Sequence, residues 1–396
     1  MILRLAWAIF WLLPAAAQTV LVLPFANASN QSNLDWIGES ISESLSNALA
    51  AHGVAVIDAD ERREALRRLS LRPYSRLTRA SAIKLGEAVD ADLVIHGIFE
   101  LTSNPQAPSS RGSLRIQANL LDLRRFRRTA EYMELGALED LARLQNHLAW
   151  QTLQFVTPEA APSEEEYNRT YPPYRVDAIE SYIRGLLAQQ PEHKLKWFSQ
   201  AVKLEPNFGQ AQFALGKLHW EQKNWRAGAE ALARVPPASA KYHEAQFLLG
   251  LCRLHLGDAL GAEETYKRLA EVLPLNEVFN NLGVAQLRRG SPLALASFQR
   301  ALEGDPRDPD YHFNTALAHF RRGEYQEAAA GFRAVLERNS TDAEAMAMLG
   351  RSLQATKSRP EGGTLPSERL KNTFEDTAYR QLKSILERRK QEQLTR

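Results

Sequence analysis

Nine histidines are the first candidates for metal or acid–base chemistry: His52, His96, His147, His193, His219, His243, His255, His312 and His319. None falls in a His-Glu-x-x-His pattern, which would set two imidazoles on one helix face beside a carboxylate. His312 and His319 stand seven apart, about two turns along one side of a helix, a spacing that reads as groove polarity rather than as a metal site. The single cysteine, Cys252, excludes an internal disulfide and a thiolate zinc site, and its apolar neighbours make it a small core or groove residue. No Gly-x-Ser-x-Gly elbow and no Gly-x-x-x-x-Gly-Lys phosphate loop occurs, and acid pairs such as Glu263-Glu264 read as solvated helix surface. The residues therefore point to no enzyme, no metal and no cofactor.

Charge is clustered once. Arg124-Arg125-Phe126-Arg127-Arg128 sets four arginines around one aromatic, a composition that suits an anionic lipid, a glycan, an acidic protein surface or a solvated hairpin tip. Nucleic acid is not expected as a partner; a peripheral contact with a membrane is left open. The whole chain has 396 residues, with 49 Lys plus Arg against 47 Asp plus Glu, so it carries no global field that would gather a polyanion. With 44% hydrophobic and 24% charged residues it is neither disordered nor a multi-span membrane protein, and its length calls for more than one domain.

The elements that must position any site differ along the chain. Residues 1–17 carry Arg4, an apolar run Leu5–Leu13 and a small-residue end Ala15-Ala16-Ala17, the order of a secretory signal peptide cut before Gln18. A retained anchor is the other reading, because Thr19–Phe25 is also apolar. From 18 to 155 strand and helix patterns alternate. A buried strand at 19–25 is followed by a capped start at Ser32-Asn33-Leu34-Asp35 and a helix with Ile37, Ile41, Leu45, Ala48 and Leu49 on one face. A short strand over 54–57 and helices over 61–69 and 79–89 follow, the first of these with Arg62-Arg63 and Arg67-Arg68 read as solvated. Then come a strand at Leu93-Val94-Ile95, an alternating strand 114–120 paired with 132–135, and a closing helix 139–155. Val20-Leu21-Val22-Leu23-Pro24-Phe25, Trp36-Ile37-Gly38-Glu39 and Ala91-Asp92-Leu93-Val94-Ile95-His96-Gly97 together resemble the envelope α/β domain of the TolB amino-terminal, FlgO and CsgG-type proteins. That resemblance implies a bacterial envelope interaction module without catalysis.

Residues 156–175, with Pro158, Pro162, Pro172, Pro173 and Glu164-Glu165-Glu166, read as a linker, extended near its proline pair. From 176 to 355 the period changes. Gly216, Gly250, Gly283, Ala316 and Gly350 recur at intervals of 34, 33, 33 and 34 residues, most of them followed by a Gly or Asn turn and a second helix bearing Tyr266, Phe298 or Phe332. This pattern resembles tetratricopeptide repeats. The fold class is an α/β N-terminal sandwich domain followed by an all-α tetratricopeptide superhelix.

In that family the first helices line a concave face. By alignment to the small residues this face carries Phe213, Lys217, Trp220, Phe247, Leu251, Leu254, Asn280, Val284, Leu287, Phe313, Leu317 and Phe320, either as partner-binding anchors or packed between repeats. The basic and Asn set that clamps a terminal carboxylate in some members is not reproduced by Lys217 and Asn280. Residues 356–366 read as a second linker and 367–396 as a last helix, with Leu370, Phe374, Ala378, Leu382 and Ile385 on one stripe, acting as an end cap or as a partner-binding or dimerising helix. The expected function is an exported envelope scaffold that takes a protein or peptide partner in the groove. The alternative is a structural component of a secretion or pilus-like assembly in which the α/β domain self-associates.

Overall fold

A computed structural model of the chain describes residues 18–29, 31–102, 112–124, 129–356, 364–375, 378, 379 and 382. The expected signal segment, Arg125–Arg128 of the basic hairpin and Ile385 of the last stripe lie outside the described residues.

The first half is a mixed sheet between helices. Its elements are β1 (Thr19–Val22), β2 (Ala26–Asn27), α1 (Asp35–Ala51), β3 (Ala55–Val56), α2 (Ala59–Arg68), α3 (Arg79–Glu87), β4 (Leu93–Thr102), β5 (Ser113–Asp122), β6 (Thr129–Ala137) and α4 (Leu141–Val156). Strand order is β3-β1-β4-β5-β6, with β2 also on β4; the pairs among β1 to β4 are parallel, and β4–β5 and β5–β6 are antiparallel.

A parallel strand needs cover on both faces, and β1 has the residues for it. Val20 and Val22 join α1 and α4 in one core, whereas Leu21 and Leu23 join α2 and α3 in the other. The alternation in β5 leaves Leu114, Ile116, Ala118 and Leu120 fully buried. Helix α1 can cross the β1–β2 turn only because residue 38 is glycine; a Cβ there would stand 2.0 Å from the Phe25 carbonyl oxygen. The expected cap at Ser32–Asp35 takes another form. Residues 32–34 make a 3-10 turn, no side chain caps α1, and Asp35 instead accepts from Asn27 Nδ2 at 2.9 Å.

Within the 156–175 segment the residues at the proline pair, 172–175, lie outside any helix, and the part before them is folded. It contains α5 (Glu164–Thr170), capped by Ser163, with Tyr167 buried and its ring 4.9 Å from that of Tyr171. The Pro162 carbonyl accepts from Trp150 Nε1 at 3.0 Å, and the Tyr171 carbonyl from Asn146 Nδ2 at 2.6 Å. These backbone carbonyls lie within reach of α4 side chains, so the segment is strapped to the sandwich.

The second half is a run of antiparallel helices: α6 (Val176–Leu187), α7 (Pro191–Leu204), α8 (Gly209–Glu221), α9 (Trp225–Leu232), α10 (Tyr242–His255), α11 (Ala259–Val272), α12 (Asn276–Arg288), α13 (Ala294–Gly304), α14 (Pro309–Arg321), α15 (Tyr325–Arg338) and α16 (Ala343–Ala355). The small residues set the closeness of each pair. A Cβ at Gly250 would lie 2.5 Å from the Tyr266 ring and one at Gly283 2.6 Å from Phe298. At Ala316 the roles are exchanged, since Gly331 on the facing helix makes room for the alanine. The superhelix begins on the sandwich: Val176, Ile179, Tyr182 and Ile183 of α6 share a core with α1 and α4, and Tyr182 Oη donates to Glu43 at 2.8 Å.

Candidate functional site

The concave face is built by the first helix of each repeat, and the chain's own segment 364–375 lies across it. This stretch is not helical, contrary to the expected last helix; among the described residues only 378, 379 and 382 beyond it are. Leu370, Phe374, Ala378 and Leu382 do bury against the array, but they join the cluster of α10–α13 rather than capping the end of the superhelix. The physical reason is hydrogen bonding. The main-chain groups of 369 and 371 find partners in the groove, so they have no need of a helical ladder.

Three buried asparagines supply those partners. Asn314 of α14 donates from Nδ2 to the Arg369 carbonyl at 2.8 Å and accepts the Arg369 N–H at 2.8 Å. Asn281 of α12 treats Lys371 in the same way, donating at 2.8 Å and accepting at 3.0 Å. Asn280 adds a second donor to the Arg369 carbonyl at 2.9 Å and accepts from Asn314 at 2.8 Å, which fixes both amides. The Asn281 and Asn314 amides each offer the segment one donor and one acceptor in the arrangement of a neighbouring strand edge, so the pair at 369 and 371 is gripped as in a β-ladder.

Of the twelve residues expected to line the groove, Phe247, Asn280 and Phe313 touch this segment: Phe247 meets Phe374 at 4.4 Å between ring centres, and Phe313 lies 3.7 Å beneath the Arg369 guanidinium. Leu251, Val284 and Leu317 are wholly buried in the cores between repeats, and Leu254 and Leu287 nearly so. Phe320 packs on Tyr325 at 5.3 Å and lies under Arg351. Phe213 and Trp220 are half-buried and Lys217 is exposed, nearer the start of the array. Asn281, Asn314 and Tyr311 were missed. For the two asparagines the signal was an Asn recurring two positions before the small residue, in Asn281-Leu282-Gly283 and Asn314-Thr315-Ala316, where an apolar residue would serve packing better.

The other candidate chemistry is engaged locally. Cys252 is fully buried and burial pushes its thiol up to about 12, so it holds no thiolate at neutral pH. His312 contacts the Pro306 carbonyl at 2.9 Å and His319 the Glu324 carboxylate at 2.7 Å. No cluster of three His, Cys, Asp or Glu that could hold a metal occurs among the described residues. Arg62, read as solvated, is instead buried, ion-paired with Glu39 and donating to Ser42 Oγ at 2.7 Å and the Val22 carbonyl at 3.1 Å; it ties α1, α2 and β1. Arg124 of the basic hairpin pairs with Asp92.

A chain of helix pairs with a small-residue seam and a polar, aromatic concave face defines the class. The sequence model of the tetratricopeptide repeat family matches residues 213–277 and 284–344, so the helical half carries tetratricopeptide repeats, which are typically non-catalytic protein-interaction scaffolds. No curated protein matches the chain. Among solved structures, YrrB, described as a tetratricopeptide protein with an unusual peptide-binding site, is 17% identical with a TM-score of 0.40 over 53% of this chain and 98% of its own. MamA from Desulfovibrio magneticus RS-1 is 18% identical, with a TM-score of 0.37 over 40% of this chain and 92% of its own. PilF from Pseudomonas aeruginosa is 16% identical, with a TM-score of 0.37 over 46% and 86%.

Proposed function

We propose that this protein is an exported scaffold of the bacterial envelope whose tetratricopeptide groove grips an extended segment of a partner protein. The observation that carries this reading is the asparagine ladder: Asn280, Asn281 and Asn314 hold main-chain groups rather than a particular side chain, as a peptide groove must. Export rests on the order of Arg4, Leu5–Leu13 and Ala15–Ala17. The envelope assignment rests on the resemblance of the first domain to TolB amino-terminal, FlgO and CsgG-type domains. The chain has no enzymatic role in this reading.

A second reading has its own support. Strand β6 is a sheet edge, and Met133 and Leu135 on it are 61% and 66% exposed, which invites edge pairing between copies into a larger assembly.

One experiment addresses both. A photo-crosslinking residue is placed at Trp220 in the groove or at Met133 on the edge, and the mature protein is recovered from the envelope fraction. Amino-terminal sequence should start at Gln18, and the groove position should capture a different protein while the edge position captures nothing discrete. Crosslinking of the chain to itself through Met133, with a silent groove, makes it an assembly component. Intact Met1 in the membrane pellet makes it an anchored protein.

A further inference from the structure

The side chains of the segment in the groove carry more information than its main chain. Arg369 makes a two-pronged pair with Asp342, with Nη1 2.7 Å from Oδ2 and Nη2 2.9 Å from Oδ1, and also reaches Asp310 at 3.5 Å and Glu344 at 3.4 Å. Lys371 stands between Asp308 and Asp310, at 2.6 and 2.7 Å, with its ammonium 5.0 Å from the centre of the Tyr311 ring. Phe374 closes on Phe247. Glu368 goes the other way, to Arg288 at 3.1 Å and Arg321 at 2.7 Å. In an extended chain alternate side chains share a face and lie about 7 Å apart, so Arg369 and Lys371 reach neighbouring acidic subsites together.

The groove supplies four carboxylates, from Asp308, Asp310, Asp342 and Glu344, whose only partners among the described ion pairs are Arg369 and Lys371. Emptying it leaves these acids without a cation among the described ion pairs, Asp308 and Asp342 keeping the backbone N–H groups of Asp310 and Ala345 that they cap. Such a surface discriminates by charge, since an acidic or neutral segment brings them no cation. The segment returns from the last repeat toward α10 as part of the same chain, and a tethered ligand of this kind sees its site at an effective concentration in the millimolar range.

We infer that segment 364–375 is an autoinhibitory occupant of the groove, and that the partner displacing it is an extended protein segment with two cationic side chains two positions apart and an aromatic three positions beyond the second. This rests on the reading of the groove as a peptide site. It makes the groove available only to ligands that outcompete the tail, or after the tail has been drawn away.

The test uses the full mature chain and a fluorescein-labelled synthetic peptide with the sequence of residues 364–379. The Arg369→Glu, Lys371→Glu double variant, whose tail is repelled by the acidic subsites, should bind the peptide at least about tenfold more tightly than the wild type, because the competing occupant is gone. The milder Arg369→Gln, Lys371→Gln chain should show the same order, and circular dichroism checks that helix content is kept in both. Equal affinity of wild-type and tail-released chains overturns autoinhibition. A peptide with both cations changed to glutamate should lose at least about tenfold; unchanged binding overturns the charge selection but leaves the peptide groove standing. Adding Asn281→Ala and Asn314→Ala to the tail-released chain should abolish binding, and retention of binding there overturns the groove itself.

Discussion

Asp342 is one of the carboxylates through which the grip on the tail depends on pH. Its side chain is 7% exposed, and the hydrogen-bonded Arg369 guanidinium holds its carboxyl below the usual 3.8. A depressed carboxyl contributes stability that is complete above its ordinary value and is lost as pH falls through the lower, docked-state value. For Lys371 burial alone would lower the ammonium, but Asp308 and Asp310 outweigh it and raise it above 10.5, so its contribution is complete below that value and lost as pH rises past it. The urea midpoint difference between wild type and an Arg369→Ala, Lys371→Ala variant should therefore be flat from about pH 5 to 9 and shrink below about pH 4. Asp342→Asn should weaken the acid limb. A difference that titrates near pH 6.5 instead would mean that a histidine, not these carboxylates, governs docking.

Three helix pairs close on a glycine whose missing Cβ admits an aromatic ring: Gly185 against Phe198, Gly250 against Tyr266 and Gly283 against Phe298. Gly283 faces Phe298 at a distance that leaves no space for a side chain, whereas a Cβ at Gly350 would meet nothing within 4 Å, since α16 packs on α15 and no following helix of its own repeat is described. Gly283→Leu should cost about 1 to 3 kcal/mol by overpacking, and Gly350→Leu should be neutral or slightly stabilising through helix propensity. Urea unfolding of the two variants checks this; equal effects would mean that the seam is loose enough to repack. The turns between the helices of a pair follow the same preference for glycine, with Gly257, Gly290 and Gly323 at φ of 80°, 70° and 78°, while Lys223 holds the equivalent place at 60° against its own preference.

At the scale of the whole molecule, the sandwich and the first helices of the array share one core. Helix α6 shares the core of α1 and α4, Tyr174 stacks on Phe208 at 4.4 Å, and α5 is pinned by Trp150 and Asn146. Trypsin should therefore leave Arg169 and Arg175 uncut in the native protein, and a Tyr167→Ala variant, which removes the ring that anchors α5, should become cleavable there. Early cutting of the wild type into two folded pieces would restore segment 156–175 as a free linker.

The repeats, the sheet and their order were legible because they rest on local period. A small residue every 33 or 34 positions and an alternating strand such as 114–120 each state which face is buried, and removing that face from water is the main force driving the chain to fold. The tetratricopeptide resemblance that this period carries implied a concave side bearing Phe247, Asn280 and Phe313. The fate of 364–375 could not. Leu370, Phe374, Ala378 and Leu382 fit a helical stripe, and only the tertiary structure sets Asn281 and Asn314 where they satisfy main-chain groups of an extended chain. The same holds for Arg62, charged and flanked by charge in sequence, yet buried because Glu39 and Ser42 on another helix meet it. Periodicity reports which face of an element avoids water; which distant polar group completes a hydrogen bond is decided only when the chain has brought the two together.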